Sequence, residues 1–427
     1  MTAASFWPGG LVQDPSTAEQ SRCRACRAPL SRTFVDLGVT PLANSYLSES
    51  DLHRPEPVYP LHARVCDNCL LVQIDAVVTP SDLFDDYAYF SSYSDSWVSH
   101  ARAFAESAQR RFDLTSASRV VEIASNDGYL LQHFDRARIP VLGIEPAANV
   151  ARVAIDRGIP TEVRFFGVET AVHLRSRDIA ADLLVANNVL AHVPDLADFV
   201  AGLRILLADG GVLSIEFPHL LRLIEGVQFD TIYHEHFSYF SLLSAQRVLA
   251  AHGLRVFAVD QLTTHGGSLR LLACQQASDR PTDPSVDAVL EAEAAAGMLD
   301  PATYEAFGRR VEDCRAALLA FVHEGREAGR SMVGYGAAAK GNTLLNYLGV
   351  GSEDLAYVVD RSPHKQGRYL PGTRIPIVPP ERLTETRPDV VLVLAWNLID
   401  EVMDQHRYVR GWGGRFAVPI PSPRIVA

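Results

Sequence analysis

Short apolar runs alternate with amphipathic stretches along the central and C-terminal parts of the chain. Apolar runs of strand length, separated by segments of helix length, predict parallel strands joined by crossover helices. We therefore predict an α/β protein with two Rossmann-like sheets, in which ligands bind at the carboxyl ends of the strands. The runs that predict strands are 119–124, 141–145, 182–188, 211–217, 269–273, 355–360 and 389–396, and one more begins at Ser331.

The segments outside these sheets differ in composition, and they divide the chain further. The run from Tyr304 to Gly329 predicts one long amphipathic helix, bridging two domains, with a solvated charged face. The predicted parts are a flexible leader (1–20), a cysteine-containing module (21–80), a first Rossmann-like domain (81–275), a helical bridge (276–330) and a second α/β domain (331–427).

Charge and hydropathy exclude some classes of function. The chain has 39 Lys and Arg against 51 Asp and Glu, a net charge of −12, so it repels nucleic acid and anionic membranes at long range. Residues Met1 to Gln20 lack a basic segment followed by an apolar one, and no apolar run approaches the roughly 20 residues that span a bilayer. We expect a cytoplasmic protein that binds neither nucleic acid nor membrane.

Four of the six cysteines form two Cys-x-x-Cys pairs. Cys23 and Cys26 make the first pair, and Cys66 and Cys69 make the second. Each pair can bend two thiolates toward one metal, and two pairs complete a closed tetrahedral site of the structural zinc type. A closed site leaves no position for water, so we predict a zinc ion that supports folding and takes no part in catalysis.

The first strand-to-helix turn of the central domain indicates the cofactor. A dinucleotide site needs G-x-G-x-x-G, but Ser125 and Asn126 stand where such glycines would be, and the turn keeps only Gly128. The next predicted strand ends in Glu145, a carboxylate that suits two ribose hydroxyls. A ligand with a ribose but no pyrophosphate fits this pattern, and S-adenosylmethionine (SAM) is the common one.

Two histidine-bearing segments follow strands of the same sheet. His192 comes just after a predicted strand that ends in two amides, and the stretch from Tyr233 to Phe240 holds two imidazoles, a carboxylate and two phenols. A histidine titrates near neutral pH and is a natural general base. Hydrogen-bonded structural histidines are the alternative in both places, and the sequence pattern alone leaves it open.

Two further patterns are ambiguous. Phenols and hydroxyls at Tyr87, Tyr89 and Ser92 suit either packing or the face of a sugar ring. The glycine-rich run Gly334–Asn342, with Lys340, fits NAD, a phosphate group or close helix packing equally well.

Taken together, the motifs are more specific than any one of them. The two cysteine pairs are followed, in order along the chain, by Tyr89–Ser92, Glu122–Gly128, Asn187–His192, Tyr233–Phe237 and Gly334–Asn342. In this combination the chain resembles the zinc-containing sugar C-methyltransferases, which act on nucleotide-linked 4-keto deoxysugars in antibiotic pathways. The resemblance implies that the central domain is a class I SAM-dependent methyltransferase domain, and that the C-terminal domain contributes to nucleotide-sugar binding.

The resemblance also implies roles for individual residues. His236 is similar to the family's general base, Tyr233 and Glu235 to residues that position the sugar and the base, His192 to a histidine near the 4-keto group, and Tyr89 to a tyrosine that closes over the substrate. Glu145 matches the acid that binds the ribose of SAM. The other implied cofactor-binding residues are Glu122, Ser125, Asn126, Asp127, Gly128 and Asn187. The implied substrate-binding residues are Tyr87, Ser92, Lys340 and Asn342.

The implied reaction is methylation of C3 of a 4-keto-deoxysugar linked to thymidine diphosphate (dTDP), by a monomer, through an enolate formed next to the ketone. Methylation at C5 is an alternative within the family. A nicotinamide-dependent oxidoreductase is an alternative from another class, favoured by Gly334–Gly341 and opposed by Ser125 and Asn126. A non-enzymatic zinc-knuckle binding module is a third alternative, but it leaves Tyr233–His236 unexplained.

Overall fold

The computed structural model describes residues 21–78, 91–93 and 95–426. The predicted leader and two members of the aromatic cluster, Tyr87 and Tyr89, lie outside the described residues. The described residues form a four-stranded, a seven-stranded and a six-stranded sheet. Within them, no helix is both long and apolar enough to span a bilayer.

The four-stranded sheet is antiparallel, and its last strand comes from the polar stretch near residue 236. In this strand Tyr239 pairs with Val72, and Ser238 pairs with Gln73. The N-terminal module is therefore completed by a segment that follows it by more than 160 residues in the sequence. The strands, in spatial order, are β1 (Arg32–Thr40), β2 (Tyr59–Val65), β3 (Val72–Ile74) and β9 (Ser238–Tyr239).

The central sheet has a parallel body and an antiparallel edge. The parallel sheet expected over this region is confirmed for five strands, whereas the predicted strand 269–273 runs antiparallel to its neighbours. The turn Thr263–Gly267 is too short for the crossover that a parallel connection needs, so the last two strands form a hairpin. The strands, in spatial order, are β10 (Leu254–Leu262), β11 (Ser268–Gln275), β8 (Leu207–Pro218), β7 (Ala181–Asn187), β4 (Val120–Ile123), β5 (Val141–Ile144) and β6 (Thr161–Glu162).

Helices connect the strands of the central sheet, and most bury one apolar face against it. The helix that follows β7 is capped by the Asp195 side chain, which accepts from two backbone N–H groups of its first turn. The helices of this region are α1 (Asp95–Arg111), α2 (Leu131–Arg136), α3 (Ala148–Asp156), α4 (Val168–Arg175), α5 (Leu196–Leu206), α6 (Leu220–Glu225), α7 (Leu242–Ala250) and α8 (Ser285–Ala295).

The predicted bridging helix is present as α9 (Pro301–Glu327), which starts at a cap made by Asp300. Its buried positions recur at helical spacing, and Phe307 stacks on Phe34 of β1 with ring centroids 4.4 Å apart. This stripe belongs to a core shared by the N-terminal sheet and the C-terminal domain. The helix is thus a packed spine between two domains, with only its polar face turned to solvent.

The C-terminal sheet is parallel except for its last strand. Its strand order reverses at β12, as in doubly wound nucleotide-binding folds. The strands, in spatial order, are β14 (Ile377–Val378), β13 (Val358–Val359), β12 (Met332–Tyr335), β15 (Val390–Val393), β16 (Arg415–Val418) and β17 (Arg424–Val426). The helices are α10 (Ala339–Leu348), α11 (Arg382–Thr386) and α12 (Ile399–Gln405).

Candidate active site

The four predicted metal ligands form one cluster. The Sγ atoms of Cys23 and Cys69 are 3.5 Å apart, as are those of Cys26 and Cys66, and all four lie within 4.8 Å of one another. A tetrahedron with Zn–S bonds of about 2.3 Å has edges of about 3.8 Å. The four thiols therefore fit a closed structural zinc site, and Gln73 adds a donor to Cys23 Sγ at 3.2 Å.

The turn after β4 adopts the backbone of a glycine-rich loop with only one glycine. Ala124, Asn126 and Gly128 have φ of 54°, 51° and 78°, so every second residue is left-handed. Against the G-x-G-x-x-G motif, the sequence predicts Ser125 and Asn126 at the glycine positions. In the structure the left-handed residues are Ala124, Asn126 and Gly128. Asn tolerates this conformation well and Ala less well, so the loop keeps a cofactor-loop shape at some cost in strain.

Glu145 closes this loop from the next strand. Its carboxylate accepts from the backbone N–H groups of Asn126 and Ala147, both at 2.9 Å, and its side chain is buried. Burial raises the pKa of Glu145. Each carboxylate oxygen has two lone pairs, so Glu145 retains acceptor capacity for ribose hydroxyls.

Among the described residues, several buried polar atoms around the strand ends of β4 and β7 find no hydrogen-bond partner. Buried polar groups are normally hydrogen-bonded, so such a group of atoms fits a polar ligand in the crevice where the strand order reverses. Burial, with the charges of Glu145 and Asp127, raises the pKa of Glu122 well above its usual range. These carboxyl, hydroxyl and amide groups suit the cationic SAM molecule. The atoms are Glu122 Oε2, Ser125 Oγ, Asp127 Oδ1 and Asn187 Oδ1.

Ser92 joins the cofactor loop. Its backbone N–H donates to Asp127 Oδ2 at 3.3 Å, its hydroxyl donates to the same oxygen, and Arg157 reaches its Oγ at 3.3 Å. The structure thus places Ser92 against a predicted cofactor residue.

The stretch around His236 forms a turn that holds one imidazole in a single tautomer. His236 Nδ1 lies 3.0 Å from the carbonyl of Thr231, which can only accept, so the proton is on Nδ1. Nε2 therefore carries the lone pair, and it accepts from the Tyr233 hydroxyl at 2.9 Å. Burial lowers the pKa of His236 well below its usual value, and the His192 charge lowers it further. The ring is neutral at cellular pH, with Nε2 available as a base.

His192 forms the opposite wall. Its ring packs edge-on against that of His236, with centroids 4.7 Å apart, and burial lowers the pKa of His192 to about 4. The imidazole is also hydrogen-bonded to the backbone of Glu235, so the single N–H of the neutral ring is already donated in this structure.

The other two members of the motif are held by the N-terminal module. Glu235 is buried and accepts from Asn44 Nδ2 at 2.6 Å, and burial raises the pKa of Glu235 to about 7. His234 is buried, with Nε2 3.1 Å from the Pro60 carbonyl, which agrees with the structural reading of this histidine.

The C-terminal domain meets this turn through a small polar cluster. Trp396 Nε1 donates to Asp230 Oδ2 at 2.7 Å, Lys340 Nζ lies 4.7 Å from the centre of the Trp396 ring, and Lys340 donates to Asn397. Burial raises the pKa of Asp230 to about 6 and lowers the pKa of Lys340. The cluster puts a lysine beside the turn that holds His236, because Asp230 directly precedes Thr231, whose carbonyl accepts from His236.

Asn342 is buried, and the neighbouring glycines serve packing. Asn342 is 1% exposed, its Oδ1 accepts from Asn346 one turn later, and its Nδ2 has no hydrogen-bond partner among the described residues. A Cβ on Gly334 would lie 2.8 Å from Val358, and one on Gly341 would lie 2.9 Å from Leu394. Of the three interpretations left open for this run, close packing accounts for these glycines.

Sequence reasoning missed Asn44, Asp230 and Trp396 as partners of the motif. Trp396 stood at the end of a predicted strand, which is a signal for a site residue in an α/β sheet. Asn44 lies in a turn and Asp230 in a three-residue 3₁₀ helix, and neither segment has a periodic sequence pattern that would mark it.

A four-cysteine cluster in the N-terminal module and a polar crevice at the strand ends of a parallel sheet are typical of a SAM-dependent methyltransferase that carries a structural zinc site. Models of known families match three parts of the chain: a zinc binding domain over residues 23–84, a methyltransferase domain over 97–259 and a C-methyltransferase C-terminal domain over 263–421. The C-methyltransferase NovU of Streptomyces niveus is 38% identical over 405 residues, which cover 95% of this chain and 96% of that protein.

The chain belongs to the family of zinc-containing, SAM-dependent sugar C-methyltransferases. It is a SAM-dependent C-methyltransferase with a structural zinc site, as the resemblance implied, and the oxidoreductase alternative falls away.

Solved structures with the same type of domain were also found. Magnesium protoporphyrin IX methyltransferase of Synechocystis with bound SAH is 13% identical, with a TM-score of 0.34, over 42% of this chain and 83% of that one. The glycopeptide N-methyltransferase MtfA is 14% identical, with a TM-score of 0.33, over 41% of this chain and 96% of that one.

Proposed function

We propose that this enzyme methylates the carbon next to the ketone of a dTDP-linked 4-keto-deoxysugar, at C3, in the biosynthesis of a natural-product deoxysugar. The observation that carries the proposal is the tautomer of His236. A neutral imidazole is suited to removing a weakly acidic C–H hydrogen, and its Nε2 lone pair becomes available once the Tyr233 hydroxyl that donates to it turns away. The 4-keto group supplies that acidity, because the carbanion formed next to it is delocalised as an enolate.

In this proposal His236 Nε2 takes the hydrogen from the carbon next to the ketone. Tyr233, which donates to Nε2 in the structure, turns its hydroxyl to the substrate as the base engages. The Tyr233 hydroxyl then stabilises the oxyanion by one hydrogen bond, and His192 adds a second once its N–H leaves the Glu235 backbone. When bound, SAM supplies an electrophilic methyl group on a sulfonium. The chain's own part is to hold the nucleophilic carbon in line with that methyl group.

Lys340 is proposed to pair with the diphosphate of the substrate. It is half-buried, positively charged and placed on the C-terminal wall beside the catalytic turn. The negative charge of the whole molecule makes such a local cation necessary for an anionic substrate. Asn342 is proposed as a second substrate-binding residue, because its buried Nδ2 has no hydrogen-bond partner among the described residues. We propose that the monomer is the active unit.

The test is hydrogen exchange in deuterated water with SAH in place of SAM. A dTDP-linked 4-keto-6-deoxy sugar is incubated with each variant, and deuterium is located at C3 or C5 by NMR. We expect His236→Ala to bind SAH with unchanged affinity in calorimetry and to lose exchange. The matched control is His234→Gln, which lies in the same turn and keeps a donor to the Pro60 carbonyl; it should retain exchange.

The position of the deuterium separates the two sugar carbons. Exchange at C3 that depends on His236 supports the proposal, whereas exchange at C5 would move the reaction to the alternative carbon. If His236→Ala exchanges at the wild-type rate, another residue is the base and the assignment is wrong.

A further inference from the structure

Arg24 lies between the two cysteines of the first zinc knuckle and reaches across to the catalytic turn. Its guanidinium donates to the Phe237 carbonyl through Nη1 and to the Ile74 carbonyl through Nη2 at 2.8 Å. Nη1 also lies 3.2 Å from Ser238 Oγ. One side chain thus links the knuckle, the end of β3 and the residue that directly follows His236.

The backbone of the knuckle is tied to the same strands. The Arg24 N–H donates to Gln73 Oε1 at 2.9 Å, and the amide nitrogen of that glutamine donates to Cys23 Sγ at 3.2 Å. Gln73 in turn pairs with Ser238 across β3 and β9. A metal ligand, a buried amide and the strand after the base therefore form one continuous set of hydrogen bonds.

The Phe237 carbonyl is a point at which the turn can be held. It accepts from Arg24 and also from the Ile74 N–H at 3.1 Å, and the Phe237 side chain is fully buried, with the guanidinium carbon 5.4 Å from its ring centre. The other end of the turn is closed by the His236 N–H, which donates to the Tyr233 carbonyl at 2.9 Å. Fixing the peptide after His236 limits where the imidazole can point.

Only a guanidinium meets this arrangement of acceptors. Its planar fork presents several N–H donors in fixed directions, whereas an ammonium is a compact charge on a flexible stem. The acceptors come from two adjacent strands, so they are reached at once by a planar group and not by a single-point donor.

We propose that Arg24 is a positioning residue for the methyl transfer, and that it couples the zinc knuckle to the general-base turn. The zinc site is then more than a folding device, because the metal fixes the backbone from which Arg24 extends. This inference rests on the proposed role of His236, and it refines the expectation that the zinc ion takes no part in catalysis: the metal contacts no reacting atom, yet it sets the position of the base.

The test uses the full-length, zinc-loaded enzyme and the variant Arg24→Ala. We expect one zinc per chain and SAH affinity within about twofold of wild type, with a fall in kcat and in α-hydrogen exchange on the order of 10- to 100-fold, the range for a misplaced catalytic group. Added guanidinium should restore part of the lost rate, because it can fill the site that the side chain leaves. The matched control is Arg22→Ala, at an exposed arginine of the same knuckle whose side chain donates to the Arg27 carbonyl; it should keep the wild-type rate.

Each result decides the inference. A rate for Arg24→Ala within twofold of wild type overturns it, and so does a loss that guanidinium does not restore at normal zinc content. Should Arg24→Ala lose zinc, Arg24→Lys decides: lost exchange with zinc retained supports the inference, and wild-type exchange overturns it.

His236→Ala is measured alongside. If that variant keeps exchange, the proposed base is wrong, whatever Arg24 does. If it loses exchange while Arg24→Ala does not, the failure belongs to the Arg24 inference alone.

Discussion

Replacing Glu235 by glutamine tests how the catalytic turn is held, through the dependence of stability on pH. Glu235 is buried against the N-terminal module and accepts from the side-chain amide of Asn44. Burial raises its pKa from 4.5 to about 7 in the folded protein. In the variant, the glutamine carbonyl can still accept from Asn44, so the hydrogen bond is kept while the ionisation is removed.

The sign and size of the effect follow from proton linkage. Between pH 4.5 and 7 the folded protein binds a proton at Glu235 that the unfolded chain has lost, so wild-type stability falls as pH rises through this window and is flat above it. One pKa unit is worth about 1.4 kcal/mol, which makes the total about 3 kcal/mol. Glu235→Gln has no such loss. Relative to wild type it should therefore gain about 3 kcal/mol between about pH 4 and pH 8.

The assay is urea unfolding of both proteins at intervals from pH 4 to 8.5. Glu353→Gln, at an exposed glutamate of the C-terminal domain, is the matched control and should follow the wild-type curve. A constant difference in free energy of unfolding between Glu235→Gln and wild type, across the whole range, would refute the reasoning. Because the pKa of His236 lies well below 6.5, an ionisation near pH 7 in the pH profile of kcat/KM should also belong to Glu235 and vanish in the variant.

Three other changes have defined outcomes. Cys66→Ser should reduce bound zinc from about one ion per chain to none, measured by elemental analysis, since structural zinc needs its full ligand set; retained zinc would contradict the four-cysteine site. Asp230→Asn keeps the acceptor for Trp396 but removes a carboxyl whose pKa is raised from 3.8 to about 6. The free energy of unfolding of this variant should therefore rise relative to wild type by about 3 kcal/mol as pH increases from about 4 to 7. Parallel curves would show that Asp230 ionises normally. Glu145→Gln should weaken SAH binding on the order of 10- to 100-fold in calorimetry, the range for loss of a charged hydrogen-bond acceptor, and unchanged affinity would remove Glu145 from the cofactor site.

Local patterns predicted much of the fold. The Cys-x-x-Cys spacing placed all four thiols in one cluster, because the bend of each pair is a local property. Apolar runs located eight of the thirteen strands of the two α/β sheets and missed β6, β10, β14, β16 and β17. Glu145, at the end of a strand, lies against the cofactor loop, as expected for parallel strands whose carboxyl ends meet at one edge.

The long-range contacts that hold the site together could not be predicted from the sequence. Asn44 and Glu235 are 191 residues apart, and Asp230 and Trp396 are 166 apart. Such pairs leave no periodic signal, since Asn44 and Glu235 lie in turns and Asp230 and Trp396 lie in three-residue 3₁₀ helices. The tertiary fold alone brings the partners together. The sequence could not separate the interpretations of the glycines around β12 for a related reason. The glycine spacing that admits a phosphate group also lets a helix pack closely on a strand.

The pairing of β3 with β9 has a consequence for synthesis on the ribosome. Strand β3 ends at Ile74, whereas β9 begins at Ser238, so the N-terminal sheet lacks its last strand until the intervening chain has been made. At translation rates of about 5 to 20 residues per second, this takes on the order of 10 to 30 s. During that interval β3 presents an open edge that could pair with another nascent chain. We therefore expect the yield of folded enzyme to respond to chaperone supply and to elongation rate between these two codon regions.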